Sequence, residues 1–327
     1  MSNRQRFYSA FARQSMLDAL RICGVSSGDT VLLPSFICRD VLAPIHAANA
    51  RVSFYEVDEN LRPVTTSVVC TARAILAVNY FGFAQDLGPL QAIAEKSGAT
   101  IIEDNAHGLF SRDEAGLALG ERTGLGFTSF RKTLRVVNGA FLSVDLTRFP
   151  DAHSVIGNIE SPAVDALPLS FRARHAVSSL ERVTGLRLMS LSRSAVRRAR
   201  QIGGRPTLPH TTESETVMPL PRPVHATALR QLEQTNEQDE SRRRRELYHR
   251  VATRLQDAGF RLVFEELGSR TVPWSVPYFA SQDQSTLARR ALREFGLDTF
   301  PWPDLPAAVR ETCPEFYSRV NVVSMMQ

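Results

Sequence analysis

Apolar and polar positions along the first half of the chain alternate between short apolar runs and stretches with helical spacing. Residues 14–23 have the spacing of a helix that stops at Gly24, and an apolar run occupies residues 30–33 and ends at Pro34. The same reasoning predicts strands at residues 50–57, 72–80, 99–103 and 139–144 and a helix at residues 87–96. Strands that alternate with helices predict an α/β fold with a doubly wound, mostly parallel sheet.

The second half of the chain has a different character. Ser- and Arg-rich helical phrases in residues 150–215 predict a helical insertion, and a long amphipathic helix is predicted from His225 to about Ala258. Short strands and a helix at residues 284–295 follow. We therefore expect a large α/β domain over residues 1–220 and a small α+β domain over residues 221–327.

The first twenty residues carry arginine and few acids, which is a weak feature of a mitochondrial presequence but equally suits an ordinary first helix. We predict the helix, and expect no secretory signal because polar residues interrupt the segment. No apolar run reaches the roughly 20 residues that cross a bilayer. The cysteines are scattered without metal-ligand spacing, so we expect no disulfide, no bound metal and a cytoplasmic location. They are Cys23, Cys38, Cys70 and Cys313.

The formal net charge of +5 raises the question of nucleic-acid binding. The densest basic run is residues 242–245, and Asp239 and Glu240 lie four residues before Arg243 and Arg244. This spacing places opposite charges on one helix face, so it predicts a solvated, self-paired helix. No nucleic-acid motif accompanies the run, and we expect no nucleic-acid partner.

The chain uses arginine in place of lysine almost everywhere. Of its 39 basic residues other than histidine, only Lys96 and Lys132 are lysines. Guanidinium stays protonated, so chemistry that needs a free amine does not tolerate the exchange. Lys96 has the context of a solvated helix end, whereas Lys132 lies between a strand-like segment at residues 126–130 and the predicted strand at residues 139–144. The alternative for Lys132 is an ordinary surface-loop lysine.

A carboxylate and an imidazole occupy the end of the strand at residues 99–103. Asp104 follows this strand directly and His107 comes three residues later, where the carboxyl ends of parallel strands place a binding site. The commoner role of such an aspartate is a helix cap or turn former. A lone lysine and an aspartate together favour pyridoxal phosphate, whose aldehyde takes the amine and whose ring nitrogen takes the carboxylate. The start of the first helix, residues 12–15, together with Ser129 offers donors for the phosphate.

Several phrases of the sequence, in order from about residue 12 to 145, resemble one family. They are LRICGVSSGDTVLLPSF, ANARVSFYEVD, VNYFGFAQDLGPLQAIAEKSGATIIEDNAHG and FTSFRK with NGAFL. The chain is similar to the DegT/DnrJ/EryC1/StrS aminotransferases, the sugar aminotransferase-like branch of fold-type-I pyridoxal-phosphate enzymes. The resemblance implies the aspartate aminotransferase-like fold. Beyond residue 145 the likeness is limited to HATALRQLEQTNEQDESRRRREL, which resembles the family's interdomain helix.

The resemblance also implies roles for individual residues. Lys132 takes the position of the Schiff-base lysine, and Asp104 that of the partner of the ring nitrogen. His107 stands where the family has Gln or His near the phenolic oxygen of the cofactor. The hydroxyl that contacts the phosphate is supplied by Ser129 or by Thr128.

Two further positions depart from the family pattern. Ala12 and Arg13 occupy the place of a Gly-Thr phosphate loop, and the Arg13 guanidinium either grips the phosphate or blocks it. Cys38 lies where many relatives have an aromatic residue that stacks on the ring.

The resemblance implies an aminotransferase that moves an amino group from an amino acid, glutamate by family habit, to a keto group on a nucleotide-linked sugar. It also implies a homodimer with a shared active site, and we expect residues 150–225 to set specificity. One alternative is elimination or condensation with the same cofactor on a non-sugar substrate. Another is a non-catalytic relative in a polysaccharide or natural-product pathway.

Overall fold

The computed structural model describes residues 3–66, 68, 71–157, 161–169, 171–173 and 213–325 of the chain. Its larger sheet contains strands β1 to β8 in the order β1-β8-β7-β6-β5-β2-β3-β4. Their bounds are β1 Arg4–Ser9, β2 Thr30–Pro34, β3 Arg51–Val57, β4 Pro63–Val64, β5 Ala74–Val78, β6 Thr100–Asp104, β7 Leu125–Thr128 and β8 Ala140–Asp145. Strands β3, β2, β5, β6 and β7 are parallel, and β4, β8 and β1 join antiparallel. The predicted α/β class with a mostly parallel sheet is confirmed.

A smaller antiparallel sheet, in the order β10-β11-β9, follows toward the carboxyl end. It consists of β9 Ser275–Phe279, β10 Thr299–Pro301 and β11 Val320–Ser324. Tyr317 connects it to the larger sheet, because its hydroxyl lies 2.7 Å from Ser35 Oγ and accepts the Val57 N–H. Buried apolar residues of both sheets belong to one continuous core. The domain division at residue 220 remains a prediction.

The helices lie between the strands and around both sheets. They are α1 Ala12–Ile22, α2 Leu42–Ala47, α3 Gly88–Ser97, α4 Ala152–Ile156, α5 Glu213–Thr216, α6 Ala226–Gln234, α7 Glu237–Asp257, α8 Ser285–Ala291 and α9 Ala307–Arg310. Short 3₁₀ turns occupy Arg39–Val41, Tyr80–Gly82, Phe130–Lys132, Arg293–Phe295 and Glu315–Arg319. Within these described ranges, no helix has both the length and the apolar character needed to span a bilayer.

The prediction of a helix over the first residues is wrong for residues 4–9. They form β1, which pairs antiparallel with β8 in a register that places Arg4 opposite Asp145 and Ser9 opposite Ala140. Phe7 is buried on the inner face of this strand. The helix begins only at Ala12, because pairing with a strand far along the chain outweighs the local preference.

The single long helix predicted from His225 is also wrong, since the structure has α6 and α7. Asn236 separates them: its backbone is extended and its side-chain oxygen accepts the N–H groups of Gln238 and Asp239, which caps α7. Helix α8 likewise ends earlier than predicted, at Ala291, and a 3₁₀ turn continues to Phe295. Of the predicted insertion, residues 158–160, 170 and 174–212 lie outside the described residues.

Helix α7 pairs its own charges, but only the Glu240–Arg244 pair has the predicted spacing of four residues. Arg243 contacts Glu240 at 2.8 Å and Arg242 contacts Asp239 at 3.4 Å on the exposed face. Arg244 also contacts Glu240, at 2.7 Å, but its side chain is only 1% exposed. The prediction of a fully solvated face is therefore wrong at Arg244, which packs into the molecule.

Candidate active site

The candidate site lies at the carboxyl ends of the parallel strands. At this point β2 and β5 are neighbours in the sheet, although β3 and β4 lie between them in the chain. Residues just beyond these ends come together here: Cys38 after β2, Phe81 after β5, Asp104 and His107 at β6, and Ser129 and Lys132 after β7. This is the topological switch point at which open α/β sheets bind ligands. We call Lys132, His107, Asp104 and Trp274 the lysine side of the site. The start of α1 with Arg13, Arg131 and Asp40 is the anion side.

Lys132 is the last residue of the short 3₁₀ turn that follows β7. Its amine nitrogen lies 2.8 Å from His107 Nε2 and 5.5 Å from the centre of the Trp274 ring. The sequence prediction that Lys132 faces a pocket with the Asp104 region agrees with this placement. The alternative of a surface-loop lysine does not, because the amine contacts a buried imidazole.

His107 is held between aromatic rings and a backbone donor. The Trp274 ring stacks on it with centroids 4.2 Å apart and planes within 5° of parallel. The Phe81 N–H donates to His107 Nδ1 at 3.3 Å. Phe81 adopts a left-handed backbone, with φ of 56°, which costs about 1–3 kcal/mol for a residue of this kind. The strained backbone of Phe81 thus supplies the N–H that orients the His107 imidazole.

The contacts of His107 define its protonation. Burial, together with the positive charge of Lys132, holds the pKa of His107 well below its usual value. The ring is therefore neutral near pH 7. Its Nε2 lies 2.8 Å from the Lys132 amine nitrogen, so the imidazole fixes the direction in which the amine points.

Asp104 is a buried carboxylate with one committed oxygen. Its Oδ1 accepts the Ala106 N–H at 2.9 Å, and no other donor among the described residues hydrogen-bonds to its side chain. Burial raises the pKa of Asp104, and the Ala106 hydrogen bond and Lys132 offset this only in part. Such a carboxylate is suited to a charged N–H donor from a ligand.

The anion side is built at the first turn of α1. The backbone N–H groups of Ala12 and Arg13 have no acceptor within the described residues, as is usual at a helix start. The Arg13 guanidinium lies 3.9 Å from Asp40. Burial, and to a lesser extent the neighbouring Arg13, lowers the pKa of Arg131. Two guanidinium groups held beside free N–H groups form a region suited to an anion.

The structure distinguishes the two hydroxyls that the sequence left open. The Thr128 hydroxyl already accepts the Asn105 side-chain N–H at 3.2 Å. The Ser129 hydroxyl makes no hydrogen bond to the described part of the chain, although the residue is buried. Ser129 therefore has its whole hydroxyl uncommitted, whereas Thr128 keeps only its O–H donor.

Cys38 lies on the lysine side of the site, close enough to Lys132 and Asp104 to interact with both electrostatically. Burial raises the pKa of its thiol to about 11, so the group is neutral near pH 7. Sequence reasoning missed the aromatic residues Trp274 and Phe81. The one available signal is the rarity of tryptophan, since both tryptophans of the chain, Trp274 and Trp302, lie in this aromatic cluster.

The residues present fit pyridoxal phosphate. A lysine amine held against a buried imidazole suits the aldehyde, a buried carboxylate with an uncommitted oxygen suits a protonated ring nitrogen, and a helix start with two guanidinium groups suits the phosphate. Among the described residues there is no cluster of three or more metal-ligating side chains.

Comparison with solved structures defines the class of the fold. An aminotransferase of Brucella abortus is 17% identical, with a TM-score of 0.61 over 98% of this chain and 80% of that one. Helicobacter pylori PseC, an aminotransferase of pseudoaminic acid biosynthesis, is 12% identical, with a TM-score of 0.64 over 98% and 81%. The sugar aminotransferase CalS13 of Micromonospora echinospora is 17% identical, with a TM-score of 0.61 over 98% and 82%. The fold is that of the fold-type-I pyridoxal-phosphate-dependent aminotransferases.

A comparison with family models agrees with the sequence analysis over one segment. Residues 12–140 match the model of the DegT/DnrJ/EryC1/StrS aminotransferase family. The predicted resemblance to that family is confirmed over this segment. The matched segment contains every predicted site residue, including Ala12 at its start and Lys132 near its end.

Proposed function

We propose that this protein binds pyridoxal phosphate at Lys132 and transfers the amino group of an amino acid to a keto group on a nucleotide-linked sugar. The observation that carries the proposal is the contact of the Lys132 amine with a neutral His107 beside the buried Asp104 carboxylate. When bound, the cofactor supplies an electron sink for the carbon that carries the amino group.

The residues of the lysine side then have distinct tasks. Lys132 Nζ would hold the aldehyde of the cofactor, and its amine would take the proton from Cα of the donor and return it during transfer. Asp104 would hold the ring nitrogen with its uncommitted oxygen. His107 Nε2 lies 2.8 Å from Lys132 Nζ and would orient the amine toward the cofactor.

The anion side would hold the phosphate. The N–H groups of Ala12 and Arg13, the Ser129 hydroxyl and the guanidinium groups of Arg13 and Arg131 supply donors of the required kind. Asp40 reduces the attraction of Arg13 for an anion only in part, because the two side chains are 3.9 Å apart and partly exposed.

The nature of the substrates rests on the family and on the similar folds. PseC is an aminotransferase of pseudoaminic acid biosynthesis and CalS13 is a sugar aminotransferase, which supports a keto sugar as acceptor. Glutamate is proposed as the donor because it is the usual amino donor in the family. A homodimer with a shared site is proposed on the same ground, and light scattering of the purified protein tests it.

The chain offers an unusually clean test of Lys132, because its only other lysine is Lys96. Lys132→Arg should remove the visible absorbance of the loaded protein, the mass added to the peptide containing residue 132 after borohydride treatment, and activity by at least about 10³-fold. Lys96→Arg, at an exposed helix end, is the matched control and should retain all three. Retained absorbance and turnover in Lys132→Arg would overturn the assignment.

The same preparation separates the alternatives. A wild-type protein that stays colourless with excess cofactor is a non-catalytic relative. With glutamate and a panel of nucleotide-linked keto sugars, transamination yields one 2-oxoglutarate for each amino sugar. Elimination or condensation chemistry leaves glutamate unconsumed.

A further inference from the structure

Arg244 is a buried cation outside the residues assigned above. It lies in the first half of α7, and its side chain is 1% exposed, while Arg243 beside it is 44% exposed. Burying a guanidinium is costly unless its donors are satisfied. The hydrogen bonds of Arg244 therefore indicate its role in the fold.

The contacts of Arg244 connect the two segments that carry the lysine side. Its Nη2 donates to the Thr133 carbonyl at 2.7 Å, and its Nη1 donates to the Pro273 carbonyl at 3.2 Å. Thr133 directly follows Lys132, and Pro273 directly precedes Trp274. The Nε donates to Glu240 Oε1 at 2.7 Å, which supplies the counter-charge from the preceding turn of α7.

We propose that Arg244 is a positioning residue that fixes the Lys132 amine relative to the Trp274–His107 stack. Its planar guanidinium sets both the distance and the direction of the two carbonyls, which a lysine ammonium on a flexible stem does not. The three groups it aligns lie close together, with Lys132 Nζ 2.8 Å from His107 Nε2 and the Trp274 ring 4.2 Å from the imidazole. The catalytic part of this inference rests on the function proposed above.

A merely structural role would have a different signature. If Arg244 only anchored α7, its replacement would lower the free energy of unfolding and leave the properties of the folded protein unchanged. A positioning role predicts altered tryptophan emission and altered turnover in protein that is still folded. Tryptophan emission is specific here, because Trp274 and Trp302 are the only tryptophans of the chain and both contact His107.

The test compares Arg244→Lys with Arg243→Gln in the full-length protein. Arg243 shares Glu240 with Arg244 but reaches neither carbonyl, so Arg243→Gln is the matched control. In Arg244→Lys we expect tryptophan emission, recorded before cofactor is added, to shift to the red and become more accessible to acrylamide. In the loaded protein kcat should fall about 10- to 100-fold, with KM for the donor within about twofold of the wild-type value. Arg243→Gln should match the wild type in both measurements.

Glu240→Gln provides a second decision if Arg244→Lys does not fold. It keeps the guanidinium and both carbonyl contacts but removes the counter-charge, so we expect the same red shift and fall in kcat at a smaller size. Folded Arg244→Lys or Glu240→Gln with wild-type emission and kcat would overturn the proposal. Because emission is measured without cofactor, it reports on positioning even if the Lys132→Arg test fails.

Discussion

The two sides of the site differ in their electrostatic environment, although Lys132 and Arg131 are adjacent in the chain. On the lysine side, His107 and Asp104 are 5% and 7% exposed, and burial moves the pKa of each toward the neutral form. On the anion side, the side chains of Arg13 and Asp40 are 29% and 51% exposed to solvent. The two sides therefore differ in how far water reaches their polar groups.

This difference corresponds to two kinds of task. A nucleophilic amine must be free of its proton, so it needs neighbours that are dry and neutral. An anchor for a phosphate must carry charge at all times, so it needs arginine and partial access to water. Substitutions on the two sides should therefore fail in different ways.

Among the substitutions that contrast the two sides, the largest effect is expected from Asp104→Asn. Without a carboxylate the ring nitrogen loses its charged partner, and removing one member of a buried pair costs about 3–5 kcal/mol, or roughly 10²- to 10⁴-fold in rate. The measurement is 2-oxoglutarate formation by the loaded protein. Asp40→Asn, a carboxylate on the anion side, is the control. Equal rates for Asp104→Asn and wild type would mean that this carboxylate does not face the ring.

The next effect concerns Arg13 and Arg131. Replacing either by Gln should weaken binding of pyridoxal phosphate about 10- to 100-fold, since a hydrogen bond to a charged group contributes about 1.5–3 kcal/mol. Pyridoxal, which lacks the phosphate, should bind all variants equally, and titration of visible absorbance measures both ligands. Tighter binding in Arg13→Gln would indicate that this guanidinium blocks the phosphate.

A third test uses the stability of the protein without cofactor. The raised pKa of Asp104 means that the folded state holds its proton more tightly than the unfolded state, so stability falls as pH rises from the ordinary carboxyl value through the raised one. Asp104→Asn lacks this loss. The difference in Tm between the variant and the wild type should grow in favour of the variant from pH 4 to pH 8. A difference independent of pH would show that the carboxyl titrates normally.

The smallest effect is expected from Asp40→Asn. Partly exposed pairs such as Arg13–Asp40 contribute about 0.2–1 kcal/mol, so freeing Arg13 should tighten binding of pyridoxal phosphate by no more than about fivefold. The gain should disappear in 0.5 M salt, because exposed charges are screened. A gain that persists in salt would place this pair among the buried interactions of the site.

The sequence predicted those parts of the molecule that are encoded locally. Strands β2 to β8 follow from apolar runs, except for the two-residue β4, and Asp104 and Lys132 follow from their positions at strand ends. The bias toward arginine made Lys132 stand out. The break at Asn236 was also within reach, since an asparagine followed by acidic residues is a capping signal.

The missed features depend on contacts between distant segments. Strand β1 exists because β8 lies beside it, and the stacking of Trp274 on His107 joins residues more than 160 positions apart. Arg244 belongs to a run of four arginines whose local pattern predicts exposure for all of them. Only the packing of α7 against the carbonyls of Thr133 and Pro273 distinguishes it.

The edge strand β1 has a consequence for ligand affinity. Helix α1 begins three residues after β1 ends, and the Gly139 N–H holds the intervening Ala10 carbonyl at 2.8 Å. A slip of β1 by one residue against β8 would turn Phe7 outward and carry the first turn of α1 along by about 3.3 Å. Binding of a phosphate is thus coupled to the register of β1, the outermost strand. Six residue pairs between β1 and β8 fix that register.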